Sequence, residues 1–201
     1  MNENRLCIDL CCGLKGFSRA FVDAGWEVIT VDIDSKFAPT ICADVCELVA
    51  QPTHHPDFWK HKPEVLLSSP PCNKFSVANT HGWPQIGIMK AMQVAGACFE
   101  LVPMLRPKWW LLENPRGKLR KLAPFPPSQT IRYSDWSKTA PSQKPTDLWG
   151  NIVLPLAPMH RRPWSGLNQT ALWHARYTND PAKTALVPRE VSQAVLEAVS
   201  G

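Results

Sequence analysis

No uninterrupted apolar stretch approaches the roughly 20 residues needed to cross a bilayer. The opening residues, Met1-Asn2-Glu3-Asn4-Arg5, lack the long apolar segment of a secretion signal. A cytoplasmic, soluble protein without a membrane partner is therefore expected. No internal repeat is visible. Cys42 and Cys46 are separated by three residues, but no second Cys or His pair follows at zinc-site spacing and His54-His55 is a poor substitute, so no metal site is expected. Seven cysteines, an odd number confined to the first half of a chain without a secretion signal, read as reduced thiols. Apolar residues are not in short supply: 44% hydrophobic against 19% charged describes a globular protein and argues against disorder. At 201 residues the expectation is one domain over 1–201 with a proper core.

Charge is uneven. Residues 1–105 carry 8 Lys/Arg against 11 Asp/Glu, whereas 106–162 carry 11 against 3. A basic middle segment interleaved with Trp136, Trp149 and Trp164 fits a polyanion-binding surface, and a solvated basic face fits equally well.

Arg5–Leu10 reads as a buried strand running into the turn Cys11–Gly16. Phe17, Ala20, Phe21 and Ala24 then fall on one helical face, Gly25 ends that helix, and Glu27–Asp32 forms a second strand. Strand, glycine turn, helix and strand make a parallel βαβ unit. A short strand near Thr40–Asp44, a strand over Glu64–Ser69, a loop over 73–87, a helix from Ile88 to Leu105 and a strand over Trp109–Glu113 continue the pattern. Pro103 is expected to kink that helix or end it early. Six prolines then crowd between Pro115 and Pro145. Two strand-like runs, Gln129–Tyr133 and Asp147–Leu154, are expected to pair as an antiparallel hairpin at the sheet edge. Residues 155–185 are irregular, and Pro188 should start a closing helix carrying Val191, Ala194, Val195 and Ala198 on one face. The fold class is α/β, a doubly wound, mostly parallel sheet with an antiparallel hairpin at one edge.

Two strand ends carry chemistry. Ser69-Pro70-Pro71-Cys72 follows one apolar run and Glu113-Asn114-Pro115 closes another. On adjacent parallel strands these would set a thiol and a carboxyl at the ligand-binding edge of one sheet. Gly13 and Gly16 lie between a strand and a helix, where backbone N–H groups can approach a ligand. Asp32, at the next strand end, is placed to accept from ribose hydroxyls, and Asp44 from an adenine amino group. Together they describe an adenosine site; the plainer reading is that both acids cap turns or helices.

Asp9-Leu10-Cys11-Cys12-Gly13-Leu14-Lys15-Gly16-Phe17-Ser18 resembles the cofactor motif of cytosine-5 DNA methyltransferases, D-L-F-C-G-x-G-G-x-S. Pro70-Pro71-Cys72 with Phe75-Ser76 resembles their P-P-C-Q-x-F-S motif. Arg106-Pro107-Lys108 with Glu113-Asn114-Pro115 resembles R-P-K…E-N-V. Gln129-x-x-Arg132 is a fainter echo of Q-x-R-x-R, and Lys144–Trp149 is similar to what compact, phage-borne members carry next. The resemblance runs over about residues 5–150. It implies a Rossmann-like, S-adenosylmethionine-dependent methyltransferase fold acting on single- or double-stranded DNA, with the basic segment 106–162 as contact surface. It casts Cys72 as the nucleophile at cytosine C6, Glu113 as the acid at N3, Asn114 as an orienting group and Arg132 as the contact to O2. It assigns the cofactor to Asp9, Cys12, Gly13, Lys15, Gly16, Asp32, Asp44 and Pro70. The base would have to be flipped out of a duplex, with the 73–87 loop closing over it.

There are departures. Lys15 stands where the family has a second glycine; it points outward, touches the cofactor carboxylate, or meets the extra carboxylate of carboxy-S-adenosylmethionine. Asn73 replaces Gln, and Tyr133 occupies the last position of the Q-x-R-x-R motif. The large recognition region of family members is absent, only 155–185 being free to serve. Weak or short-context specificity, or a protein partner supplying it, is therefore expected. Alternatives are another substrate or donor on the same nucleophile (tRNA, a free nucleotide, carboxymethyl transfer) or a degenerate nucleic-acid-binding protein.

Overall fold

The computed structural model describes residues 5–72, 75, 85–137, 145–157 and 186–201. Among these residues seven strands form one sheet: β1 (Leu6–Leu10), β2 (Glu27–Asp32), β3 (Ile41–Cys42), β4 (Val65–Ser68), β5 (Trp109–Pro115), β6 (Gln129–Arg132) and β7 (Pro145–Gly150). Their order is β3-β2-β1-β4-β5-β7-β6. The first five are parallel, and β7 runs antiparallel to both of its neighbours. The strand order reverses between β1 and β4, where open α/β sheets bind ligands beyond the strand C-termini.

Helices cover both faces because the central strands are apolar on both. Ile8, Leu10, Leu66 and Leu112 face one core with α2 (Val45–Ala50), α3 (Pro56–Trp59) and α4 (Gln85–Leu105). Cys7, Val65, Leu67 and Leu111 face the other, with α1 (Arg19–Asp23), α6 (Tyr133–Trp136) and α7 (Arg189–Ser200). A further short helix, α5 (Leu119–Leu122), follows β5. The doubly wound, mostly parallel sheet with an antiparallel edge pair is thus present as expected.

Several details differ. β7 ends at Gly150 rather than reaching Leu154, because the Asn151 side chain takes over the ladder: Oδ1 accepts from Trp110 N at 2.8 Å and Nδ2 donates to Lys108 O at 2.9 Å. Pro103 does not end α4, which starts earlier than expected and runs on to Leu105. Over Gly87–Leu105 α4 is long and apolar enough to cross a bilayer, with mean hydropathy 1.3, contrary to the expectation that no such stretch exists. Here it is a sheet-covering helix, burying Ala91, Ala95, Cys98 and Leu101 in the core. Trp136 and Trp149 are buried too, so neither stacks on a polyanion; both faces of the β5-β7-β6 region are covered. Trp164, most of segment 155–185 and, apart from Phe75, loop residues 73–84 lie outside the described residues.

Candidate active site

The turn after β1 is built on left-handed backbone. Cys11 (φ 54°), Gly13 (φ 47°) and Lys15 (φ 60°) all adopt it. At Lys15 this is the conformation that favours the glycine usual in the resembled motif. Among the described residues nothing lies within 4 Å of where a Gly13 Cβ would stand. Gly16 serves packing instead: a Cβ there would meet Val187 O at 2.7 Å and Leu186. Asp32 ties the turn to the end of β2, Oδ2 accepting from Gly13 N and Oδ1 from Asp34 N, each at 2.9 Å. Asp44 caps α2, accepting from Cys46 N at 2.9 Å. Lys15 Nζ donates to Ala38 O at 2.6 Å, bridging the first turn to the loop beyond β2.

Asp9 is fully buried on β1. Ser18 Oγ donates to its Oδ2 at 2.6 Å, while Oδ1 has no partner among the described residues. Burial pushes its pKa up to about 7, against the lowering effect of Ser18. The neighbouring Cys12 thiol is pushed up to about 12, chiefly by burial, and stays protonated.

The second strand end lies one strand beyond the reversal point. Cys72, half-buried, sits in a turn closed by Phe75 N donating to Cys72 O at 2.9 Å. The β5 segment grips this turn on both sides. Asn114 Nδ2 donates to Pro70 O at 2.8 Å, and Lys118 N donates to Phe75 O at 3.0 Å. Gly117 permits the second contact, since a Cβ there would collide with the Phe75 carbonyl. Asn114 is fully buried, and its Oδ1 has no partner among the described residues.

Glu113 follows β5 alternation onto the face opposite Asn114. Burial raises its pKa to about 7, opposed by the nearby Tyr133 and Ser69 hydroxyls. Both hydroxyls are buried beside that carboxyl. Behind the site, Asp147 on β7 is fully buried and takes a bidentate pair from Arg120, Nη2–Oδ1 2.7 Å and Nε–Oδ2 2.9 Å. Thr130 Oγ1 also donates to Asp147 Oδ1 at 2.7 Å. This fixes β7, and through the Asn114–Asp147 pairing β5, in register.

A family model for C-5 cytosine-specific DNA methylase matches residues 6–121. The chain belongs to this family. A DNA modification methyltransferase encoded within an Escherichia coli prophage has a similar structure, with 20% sequence identity and a TM-score of 0.52. The match covers 73% of this chain and 46% of that one, so the chain spans less than half the length of that relative. A Pyrococcus horikoshii OT3 protein aligns more loosely, with 16% identity and a TM-score of 0.31 over 65% of this chain and 58% of that one. No curated protein matches.

Among the residues expected from cytosine-5 methylase motifs, Cys72, Glu113, Asn114 and Pro70 come together at one strand edge. Asp9, Cys12, Gly13, Lys15, Gly16 and Asp32 gather around the neighbouring turn, with Asp44 one strand further out. Arg132 does not join them: it is exposed. β6 pairs with β7 so that Ile131 opposes Thr146 and Thr130 opposes Asp147, which turns Arg132 to the face away from Glu113. Tyr133, next in sequence, is the residue brought to the acid. Ser69, Ser18 and Gly117 are also part of the assembly and were not expected; only strand alternation beyond Ile131 could have pointed to Tyr133.

Proposed function

We propose that this chain transfers the methyl group of S-adenosylmethionine to C5 of cytosine in DNA through a covalent bond between Cys72 Sγ and C6. The observation that supports the reading is the grip of the β5 segment, which also bears the buried Glu113 carboxyl with its pKa near neutrality, on the Cys72 turn. Cytosine C5 is too electron-poor to take a methyl group unaided. Addition of the Cys72 thiolate at C6 moves an electron pair toward N3, where protonated Glu113 supplies the proton; C5 then becomes the nucleophile. A water takes the C5 proton, the electrons so returned expel the Cys72 thiolate, and Glu113 regains its proton from N3.

The turn after β1 fits the cofactor: among the described residues nothing stands in front of Gly13, and Asp9 Oδ1 is a buried acceptor without a partner at its foot. Bound there, S-adenosylmethionine supplies an electrophilic methyl group. Asp9, Gly13, Asp32 and Lys15 would hold it, with Asp44 further along. The basic stretch 106–162 is the proposed DNA contact, and the cytoplasm is the proposed place of action. Specificity short in context, or supplied by a protein partner, belongs to the same reading.

Nucleoside mass spectrometry of DNA from cells expressing wild type and Cys72→Ala tests it. 5-Methylcytosine in the first and none in the second is expected. Equal levels in both would sink the reading.

A further inference from the structure

Three aromatic side chains from separate elements meet at the end of the sheet opposite the proposed catalytic edge. Phe99 comes from α4, Trp110 from the start of β5 and Phe125 from the loop after α5. Trp110 precedes Glu113 by three residues, about 10 Å along an extended strand. The rings stand steeply to one another and none is stacked. Centroids are 6.4 Å apart at 85° for Phe99 and Trp110, 6.2 Å at 81° for Trp110 and Phe125, and 5.3 Å at 69° for Phe99 and Phe125. Three such planes form the corner of a box.

The corner is held from behind. Trp149, fully buried, donates from Nε1 to Phe125 O at 3.1 Å, and its ring lies 6.3 Å from that of Phe99. The rings are therefore set before any ligand arrives. They line an open cavity of about 360 Å³, with Pro103 and Pro124 as further apolar walls. Glu100 is the one ionisable group on that wall among the described residues, and it is exposed. Phe125 is 43% exposed. Lys108 does not fill the corner: its ammonium lies over Trp109, on the other face of the sheet, 5.5 Å from the ring centroid.

Such a wall selects by charge and by hydration. Aromatic faces are negative and attract a cation within about 6 Å of the ring centroid. Glu100 adds a formal negative charge, so an anion is repelled twice and a neutral apolar molecule gains from neither. A primary ammonium holds its water tightly. An alkylated ammonium spreads its charge under methyl groups, gives up water readily and fits apolar walls.

We propose that this corner binds a small alkylated ammonium ion of the choline type, with Phe99, Trp110 and Phe125 around the cationic head and Glu100 balancing its charge. The site is separate from the proposed transfer chemistry and stands or falls without it.

The probes are choline and 3,3-dimethylbutan-1-ol, which has nearly the same shape without the charge, titrated against the full chain by ligand-detected NMR. Choline should bind saturably and at least about tenfold more tightly than the alcohol. Glu100→Gln should weaken choline by roughly threefold to tenfold and leave the alcohol unchanged, and Phe125→Leu should weaken choline about tenfold. Equal affinities for the two probes, no saturable choline binding, or a choline affinity indifferent to both substitutions overturns the proposal. Should Phe125→Leu fold poorly by thermal unfolding, the probe pair and the exposed Glu100→Gln decide instead. A trimethyl-lysine peptide that binds far more tightly than choline also overturns it, assigning the corner to a partner's side chain.

Discussion

Asn114 and Pro70 lie 44 residues apart, yet Asn114 Nδ2 donates to the Pro70 carbonyl at 2.8 Å, so the strand bearing Glu113 also holds the Cys72 turn. Removing that donor leaves a buried carbonyl unpaired at a cost of about 1–3 kcal/mol and lets the Cys72 turn drift. Asn114→Ala should slow adduct formation on 5-fluorocytosine DNA by roughly tenfold to a hundredfold. Calorimetric cofactor affinity should remain, because Asn114 does not touch the β1 turn. Unchanged trapping would show that the bond does not position Cys72.

Two glycines separate the two halves of the site. A Cβ at Gly117 collides with the Phe75 carbonyl, so Gly117→Ala should depress transfer while sparing cofactor binding. At Gly13 the backbone is left-handed and space in front is open, so Gly13→Ala should weaken cofactor binding first, by about 1 kcal/mol or more of strain and obstruction. Calorimetry and single-turnover rates on the two variants distinguish these outcomes.

Glu113 and Asp9 make the unliganded protein sensitive to pH. Each has a folded pKa of about 7, above the ordinary values of 4.5 and 3.8, so the folded state binds the proton more tightly. Stability from this source is fully present at acid pH below those ordinary values and is lost as pH rises through about 7. The loss is on the order of 3 kcal/mol per group. Denaturant titrations at successive pH values should show this decline, reduced in Glu113→Gln. Activity should also fall above neutrality as Glu113 loses its proton, and an alkaline limb that persists in Glu113→Gln would assign it elsewhere.

Behind the site, the Asp147 carboxylate is fully buried and depends on Arg120. Arg120→Ala leaves that charge unpaired, for which about 3–5 kcal/mol of destabilisation is expected. Arg120→Lys should recover only part, since an ammonium cannot make the bidentate contact. Arg132→Ala, by contrast, should leave both stability and kcat near wild type.

Much of this arrangement was legible from local patterns. The apolar runs of β1, β2, β4 and β5 each end in the candidate site residues, so their shared edge could be read directly. Period-2 alternation makes clear that Arg132 and Tyr133 must face opposite ways. Which one faces Glu113 depends on the phase set by β7, a long-range pairing with no local signature. Trp149 illustrates the same limit: it lies on β7 between two strands and beneath a covered face, and its own neighbours do not announce that burial. Asp32 and Asp44 were legible as turn-forming acids, and their observed bonds are to backbone N–H groups.

The first turn is also held by residues far along the chain. Ser192 Oγ donates to Phe17 O at 2.7 Å and accepts from Ala20 N at 3.0 Å, spanning 175 and 172 residues, while Leu186 and Val187 lie against Gly16. Closing a loop of that length comes late in folding, after the contacts that offset its entropy have formed. The β1 turn is therefore finished only when the molecule is nearly complete, and a ligand that recognises it cannot speed the route there. In stopped-flow experiments S-adenosylmethionine should slow unfolding and leave the refolding rate unchanged, acting as a lock on the finished protein.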